Sequence, residues 1–385
     1  MHVWILLLVV AFSFLLEVLA LSGKTVMAFH DKYSQYDLGE GHPFRGDRFV
    51  NAMRFFKDHK LLDHPDFRVL SPQPISREDL LRVHDKSYVE RIFTLAKQRK
   101  AWDVETPVSP EILEAALLIA GGAVACGQSV LEGKALRGIS LGGGYHHAGR
   151  SYGGGFCLFN DVAVLVEYLR IKYGLGRFLV LDYDVHFGNG TSDIYYHDPS
   201  VLYVSLHQDP RTLYPGTGFV WQIGEDEGEG YNVCVPLPAG TGNESYLYAM
   251  NEVFVPLTEE FKPDIIIANG GSDSHFADSL GDLNLTVDGF FRLSRLIREV
   301  ADRVCGGRLV LVPGSGYDPR ALPACWYALV AGVVGLGQIS VDEVGVPPKE
   351  PAYVRGVVEK TVDELKRLLR RHWACFGGFG LNVMP

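Results

Sequence analysis

Paired cysteines are missing from this sequence of 385 residues. Its six cysteines, Cys126, Cys157, Cys234, Cys305, Cys325 and Cys375, lie far apart and form no CxxC pair. That argues against a cysteine zinc site and a disulfide-built scaffold. It reads instead as scattered core thiols of a reducing compartment, so a cytoplasmic location is expected. Excess positive charge is missing too. The net charge of −10 argues against direct nucleic-acid binding, which needs positive potential, and is compatible with a cationic substrate. No internal repeat or low-complexity linker divides the chain. What is plentiful is core material: 47% of residues are hydrophobic and 21% charged. That balance suits a globular protein that needs neither disulfides nor oligomer formation for stability, although an oligomer is not excluded.

One apolar run stands out. Val3 to Leu16 is apolar but for Ser13, Glu17 interrupts it, and Val18 to Leu21 resume it. The run is short for a membrane span. It resembles the apolar centre of a signal peptide, and Val18 and Ala20 would suit a cleavage site, yet Met1 and His2 supply no Lys or Arg before it. Three readings stand side by side: a signal or anchor, an N-terminal core helix, and a start codon assigned too far upstream. Residues 1–23 are therefore set apart as a hydrophobic N-terminal segment that leaves export or membrane association open. Residues 24–385 form the expected globular domain.

From Thr25 onward, short apolar runs alternate with longer helical stretches. The strands expected are Thr25–Phe29, Gly138–Leu141, Arg177–Leu181, Val201–Leu206, Ile265–Ala268 and Arg308–Val312. Most are continuously apolar, as strands buried on both faces of a parallel sheet should be. Helices are expected at Pro110–Leu131, Asp161–Tyr173, Tyr246–Phe261, Val287–Val304 and Val354–His372, the last a docking helix with a solvated basic side. Alternating strand and helix predicts a single α/β domain, a mainly parallel sheet with helices on both faces.

The residues that follow these strands carry the chemistry. Leu141 is followed by Gly142-Gly143-Gly144-Tyr145-His146-His147, Leu181 by Asp182-Tyr183-Asp184-Val185-His186, and Leu206 by His207. Ala268 is followed by Asn269-Gly270-Gly271-Ser272-Asp273, and Val312 by Pro313-Gly314-Ser315-Gly316-Tyr317. Parallel sheets bind ligands beyond the carboxyl ends of their strands, so these ends point into one site. Asp184 and His186 are two apart in extended chain and share a face. With Asp278 as a third ligand they would hold one metal and leave a position open for water. Alone, the triplet reads equally well as a polar strand end; beside a His-His pair and a Gly-rich Tyr loop, a metal site becomes the better reading. Imidazoles suit the base and acid that hydrolysis needs. A phenol at Tyr317 suits a developing oxyanion, against the plainer role of a buried aromatic with a polar tip.

These segments resemble the histone deacetylase superfamily, which includes the acetylpolyamine amidohydrolases and the acetoin-utilisation proteins. The likeness runs from about Thr25 to Gly337. It covers GHPFRGDR at 41–48, VHDKSYV at 83–89, GGGYHHAGRSYGGGFCLFND at 142–161 and LDYDVHFGNGT at 181–191. It continues through SLH at 205–207, YPGTG at 214–218, GGSDSHFADSLGDLNLT at 270–286 and GSGYD at 314–318. The resemblance implies an arginase/deacetylase-like fold and a zinc-dependent deacetylase acting on acetyl-lysine of proteins or a related acetylated amine. It puts the zinc ligands on Asp184, His186 and Asp278. The general base and acid falls on His147, with His146 beside it, Asp182 behind His146, Asn189 behind His147, and the catalytic phenol on Tyr317. Gly155, Phe156 and Tyr214 would wall the substrate channel, with Ser315 and Gly316 at its floor and Arg48 in the inner cavity that receives acetate. A structural potassium ion would draw on Asp182, Asp184, His186, Ser205 and Leu206. Phe187, Ser279 and Ser315 depart from the family's pattern without removing a catalytic group. An acetylpolyamine or other small-amide deacetylase is the rival within the same chemistry. An inactive acyl-lysine binding protein and a binuclear manganese hydrolase are rivals outside it.

Overall fold

The computed structural model describes residues 25–377; the N-terminal segment and its three readings lie outside them. Eight strands form one wholly parallel sheet. They are β1 (Thr25–Ala28), β2 (Phe67–Leu70), β3 (Arg137–Ser140), β4 (Phe178–Asp182), β5 (Val201–Gln208), β6 (Asn232–Leu237), β7 (Ile265–Gly271) and β8 (Leu309–Ser315). Their order is β2-β1-β3-β8-β7-β4-β5-β6. The expected strands appear as β1, β3, β4, β5, β7 and β8. All six are interior, and their residues are buried almost throughout because helices cover both faces.

Two strands are additional to those expected, and both are sheet edges. In β2 only Phe67 is fully buried, so no apolar run marks it. β6 reads Asn-Val-Cys-Val-Pro-Leu, and Pro236, which lacks an N–H, is tolerated where a strand has a neighbour on one side only.

The Pro110–Leu131 helix starts where its sequence says it should. Ser109 caps it by accepting the N–H of Ile112, and Pro110 occupies its first turn. It is apolar enough to cross a membrane by composition, but 72% of its most apolar window is buried inside this fold. The Asp161–Tyr173 helix is capped by Asn160 and ends on the left-handed Gly174. The Tyr246–Phe261 stretch is helical but not uniform: Asn243–Ala249 and Val255–Phe261 are joined by a π turn at Met250–Phe254. Pro256 cannot donate to the preceding turn, and the wider π turn absorbs that loss. The last long helix is Val354–Leu369, shorter than expected, and docks through Val354, Val358, Val362, Leu365 and Leu369.

Connections leaving β4 run towards β5, and those leaving β7 run towards β8, in opposite directions across the sheet. A crevice therefore opens beyond the adjacent ends of β4 and β7, with the ends of β8 and β3 beside it.

Candidate active site

The His pair is set by a buried carboxylate. Asp161, first residue of its helix, accepts the N–H groups of Gly144 at 3.0 Å and Tyr145 at 2.8 Å. That fixes the turn after β3 and aims His146 and His147 into the crevice, where they are 3% and 4% exposed. His146 Nδ1 donates to Asp182 Oδ2 at 2.8 Å, and His147 Nδ1 donates to Asn189 Oδ1 at 2.7 Å. The two Nε2 atoms face each other at 3.2 Å, so one of them must carry a proton and the other a lone pair. Burial disfavours charge on His146, but the Asp182 and Asp184 carboxylates prevail and raise it to about 9. Burial, with His146 and His186 nearby, holds His147 well below the usual histidine range. These opposite directions favour His146 as the donor and His147 as the acceptor of the bond between them.

Asp182 is itself pinned. Tyr203 Oη donates to Oδ2 at 2.9 Å, and Asn269 Nδ2 donates to Oδ1 at 3.1 Å. Asn269 lies in register with Asp182 on the neighbouring strand. Behind His147, Asn189 Nδ2 donates to Tyr152 Oη at 3.3 Å, and Tyr152 in turn donates to Asp193.

Asp184 and His186 meet as expected, with His186 Nδ1 3.1 Å from Asp184 Oδ1. A third carboxylate joins them that the sequence did not single out. Asp273 Oδ2 lies 3.3 Å from His186 Nδ1, and donor atoms of Asp184, His186 and Asp273 all fall within 4.8 Å of one another. Asp278 is not in that group. Its carboxylate accepts the N–H groups of Tyr317 at 2.6 Å, Leu280 at 3.0 Å and Asp318 at 3.3 Å. Burial still raises it to about 6, against those hydrogen bonds. Asp273 is raised as well, by burial and by the charge of Asp184. Buried carboxylates this close are an environment that a divalent cation would neutralise.

His146, His147, Gly155, Phe156, Asp184, His186, Ser315 and Tyr317 line one narrow cavity of about 20 Å³. Gly155 has to be glycine, because a Cβ there would sit 2.3 Å from His147 Cδ2. Gly314 has to be as well, because its Cβ would meet the Gly143 carbonyl at 1.6 Å. Phe156 packs edge-on to Tyr317 at 5.9 Å, and Tyr214 edge-on to His147 at 4.9 Å. Burial raises the Tyr317 phenol well above its usual range, so it stays a proton donor. Beyond Tyr317 lies a second cavity of about 260 Å³, which Arg48, Gly316 and Tyr317 help to line. Arg48 donates to the carbonyls of Gly314, Pro43 and Arg45 and stacks on Phe44 at 3.8 Å.

Two of the expected potassium ligands have further partners. Ser205 stands opposite Asp182 in register, but its Oγ pairs with His207 Nδ1 at 2.8 Å, and the Leu206 carbonyl accepts from Tyr246 Oη at 3.3 Å. His207 donates from Nε2 to the Gly218 carbonyl, so the Ser205 hydroxyl is the donor to Nδ1, and both oxygens keep a lone pair that a cation could use. Phe187, which departs from the family's pattern, packs against His207 and Tyr203. Asp161, Asn269 and Tyr203 were not expected to serve the site; Asp161 and Asn269 lie in segments the sequence had flagged, whereas Tyr203 looks like any strand aromatic.

Comparison with known proteins agrees with this geometry. Residues 42–333 match the histone deacetylase domain. The chain is 34% identical over 364 residues to a probable deacetylase of Archaeoglobus fulgidus, covering 91% of this chain and 99% of that one. It is 39% identical over 268 residues to a histone deacetylase-like amidohydrolase of Pseudomonas aeruginosa, covering 69% and 70%. The acetoin utilization protein AcuC of Bacillus subtilis is 33% identical over 312 residues, 78% of this chain and 80% of that one. Among solved structures, the HDA15 HD domain superposes with a TM-score of 0.80 at 26% identity, over 92% of this chain and 97% of that chain. Sheet order, strand-end residues and sequence likeness over most of its length agree: the chain belongs to the histone deacetylase family.

Proposed function

We propose that the protein is a zinc-dependent amidohydrolase. Its substrate would be the acetyl-lysine of peptides and proteins, or a related acetylated amine, and longer acyl groups fall within the same chemistry. The observation that carries this reading is the opposed imidazole pair, His146 backed by Asp182 and His147 by Asn189, facing Asp184, His186 and Tyr317 in one cavity. The names of the relatives, a deacetylase and an amidohydrolase, support the same reaction class.

Asp184 and His186 would hold the zinc, with Asp278 as third ligand on the resemblance. One imidazole with carboxylates is a donor set that zinc accepts, and three ligands leave a position open. When bound, zinc supplies a Lewis acid for the scissile carbonyl and acidifies water. The remaining work belongs to this chain's own groups. His147 Nε2 takes the proton of the attacking water while Asn189 holds its Nδ1–H. The Tyr317 phenol donates to the carbonyl oxygen as negative charge develops there. The proton then passes to the leaving nitrogen as the C–N bond breaks, giving acetate and the free amine. Arg48, in the cavity beyond Tyr317, offers a cation towards the departing acetate.

The competing substrate class is a small acetylated amide such as an acetylpolyamine. Zinc-loaded protein assayed in parallel on acetyl-lysine peptides, acetylpolyamines and longer acyl-lysine peptides separates the two. Acetate release with the highest kcat/KM on a peptide is the expected result. A clear preference for acetylpolyamines would move the assignment to small amides, and no hydrolysis of any member would overturn it.

A further inference from the structure

Residues 149–160 leave the His pair, run along the cavity as Gly155 and Phe156, and contain three successive glycines, Gly153 to Gly155. The segment has no helix or extended strand; Gly154 and Cys157 form an isolated antiparallel bridge, with backbone hydrogen bonds of 3.2 and 2.8 Å. It nevertheless holds a demanding shape, with Gly155 at φ +51° and Phe156 at +70°, a conformation that costs a side chain such as phenylalanine about 1–3 kcal/mol. The Gly154–Cys157 bridge closes this turn, and contacts from outside the segment fix where the turn sits.

Four side chains from elsewhere donate to its backbone carbonyls. His84 Nδ1 donates to Gly149 at 2.8 Å, and Trp102 Nε1 donates to Gly153 at 3.1 Å. Tyr36 Oη donates to Phe156 and Tyr88 Oη to Leu158, both at 2.6 Å. His84 also closes the base of the segment, because its Nε2 accepts the Asn160 N–H at 3.0 Å. With one ring nitrogen donating and the other accepting, the ring is neutral and its tautomer fixed. Tyr36, His84 and Tyr88 are almost fully buried, and Trp102 packs edge-on to Tyr88 at 5.0 Å. Two of the four, His84 and Tyr88, come from the VHDKSYV segment, which otherwise touches none of the reacting groups.

We infer that Tyr36, His84, Tyr88 and Trp102 are positioning residues that form a bracket fixing the Gly155–Phe156 channel wall, and so set which acylated chains the site admits. The inference rests on the hydrolase reading for its kinetic consequence and on geometry alone for its structural one. With the bracket intact, Phe156 stays edge-on to Tyr317, and Gly154 stays close to the Tyr214 hydroxyl, a Cβ there lying 3.2 Å from it. The gap then admits a slender unbranched chain. Without the bracket, the glycines let Phe156 swing, and bulky chains gain relative to slender ones.

Tyr88→Phe removes one donor and keeps the ring. Amide hydrogen exchange in residues 150–159 should then speed up at least tenfold while exchange in the sheet is unchanged. KM for an acetyl-lysine peptide should rise roughly fivefold, the factor one ordinary hydrogen bond supplies, with kcat within about twofold. The kcat/KM ratio of an α-branched acyl substrate to the acetyl one should increase, which general destabilisation would not cause. Trp102→Phe, at a half-exposed position, gives the same test should Tyr88→Phe fold poorly. If neither variant changes exchange in 150–159, there is no bracket. If exchange changes and the acyl ratio does not, the bracket has no bearing on selectivity. If the unmodified protein hydrolyses no acylated amine, the hydrolase reading fails while the exchange result still judges the bracket.

Discussion

Asp184 and Asp273 are buried carboxylates that both approach Nδ1 of His186, and Asp278 is a third, held apart by backbone N–H groups. The residue-scale question is which of the latter two completes the metal site. Asp273 has its Oδ1 committed to the Val185 N–H at 3.1 Å, and its Oδ2 lies 3.3 Å from His186 Nδ1, the same nitrogen that faces Asp184. Asp278 sits beside Tyr317, whose own N–H it accepts, so a metal there would lie next to the phenol. Asp278→Asn should therefore lower bound zinc well below one per chain. Asp273→Asn should retain most of the zinc and weaken its affinity by about 10–100-fold, the usual cost of losing a ligand's supporting partner. Metal analysis of both variants decides it, and full loss in Asp273→Asn with retention in Asp278→Asn would reverse the assignment. Spacing alone makes Asp184 and His186 legible in the sequence, because alternate residues of a strand share a face. Asp273 is not legible in the same way, since nothing in a run of residues says which way a loop carboxylate turns.

At the scale of elements, continuous apolar runs reveal the interior strands, because both their faces are buried. β2 and β6 escape such reading because an edge strand needs no such run. The backbone bonds that hold residues 149–160 are equally hidden, since any sequence offers the carbonyls they use. The same bracket gives stability a pH dependence. Burial, with the Arg150 charge nearby, depresses His84 to about 4 from its ordinary 6.5. Between these values the unfolded chain binds a proton that the folded protein does not, so stability is full above pH 6.5 and declines as pH falls towards 4. The contribution is roughly 3 kcal/mol for a shift of this size. Urea unfolding from pH 7 to pH 4.5 should show this decline, and His84→Gln should flatten it by up to one proton's worth of slope. An unchanged slope in the variant would mean that another group, such as the equally buried His207, controls it.

The whole molecule is organised by its parallel sheet. Because every strand runs the same way, all eight carboxyl ends reach one rim. The reversal of connection direction between β4 and β7 opens the crevice there, so residues far apart in sequence converge: His147, the pair His186 and Asn189, and Tyr317 come from three different strand-to-helix connections. As proposed, this convergence builds a hydrolase that needs one zinc per chain. Metal-stripped protein titrated with zinc while acetate release from an acetyl-lysine peptide is followed tests that claim most directly. The expected result is negligible turnover without metal, a linear rise, and a plateau at one equivalent of zinc per chain. Full turnover in the stripped protein, or a plateau only at two equivalents, would contradict it.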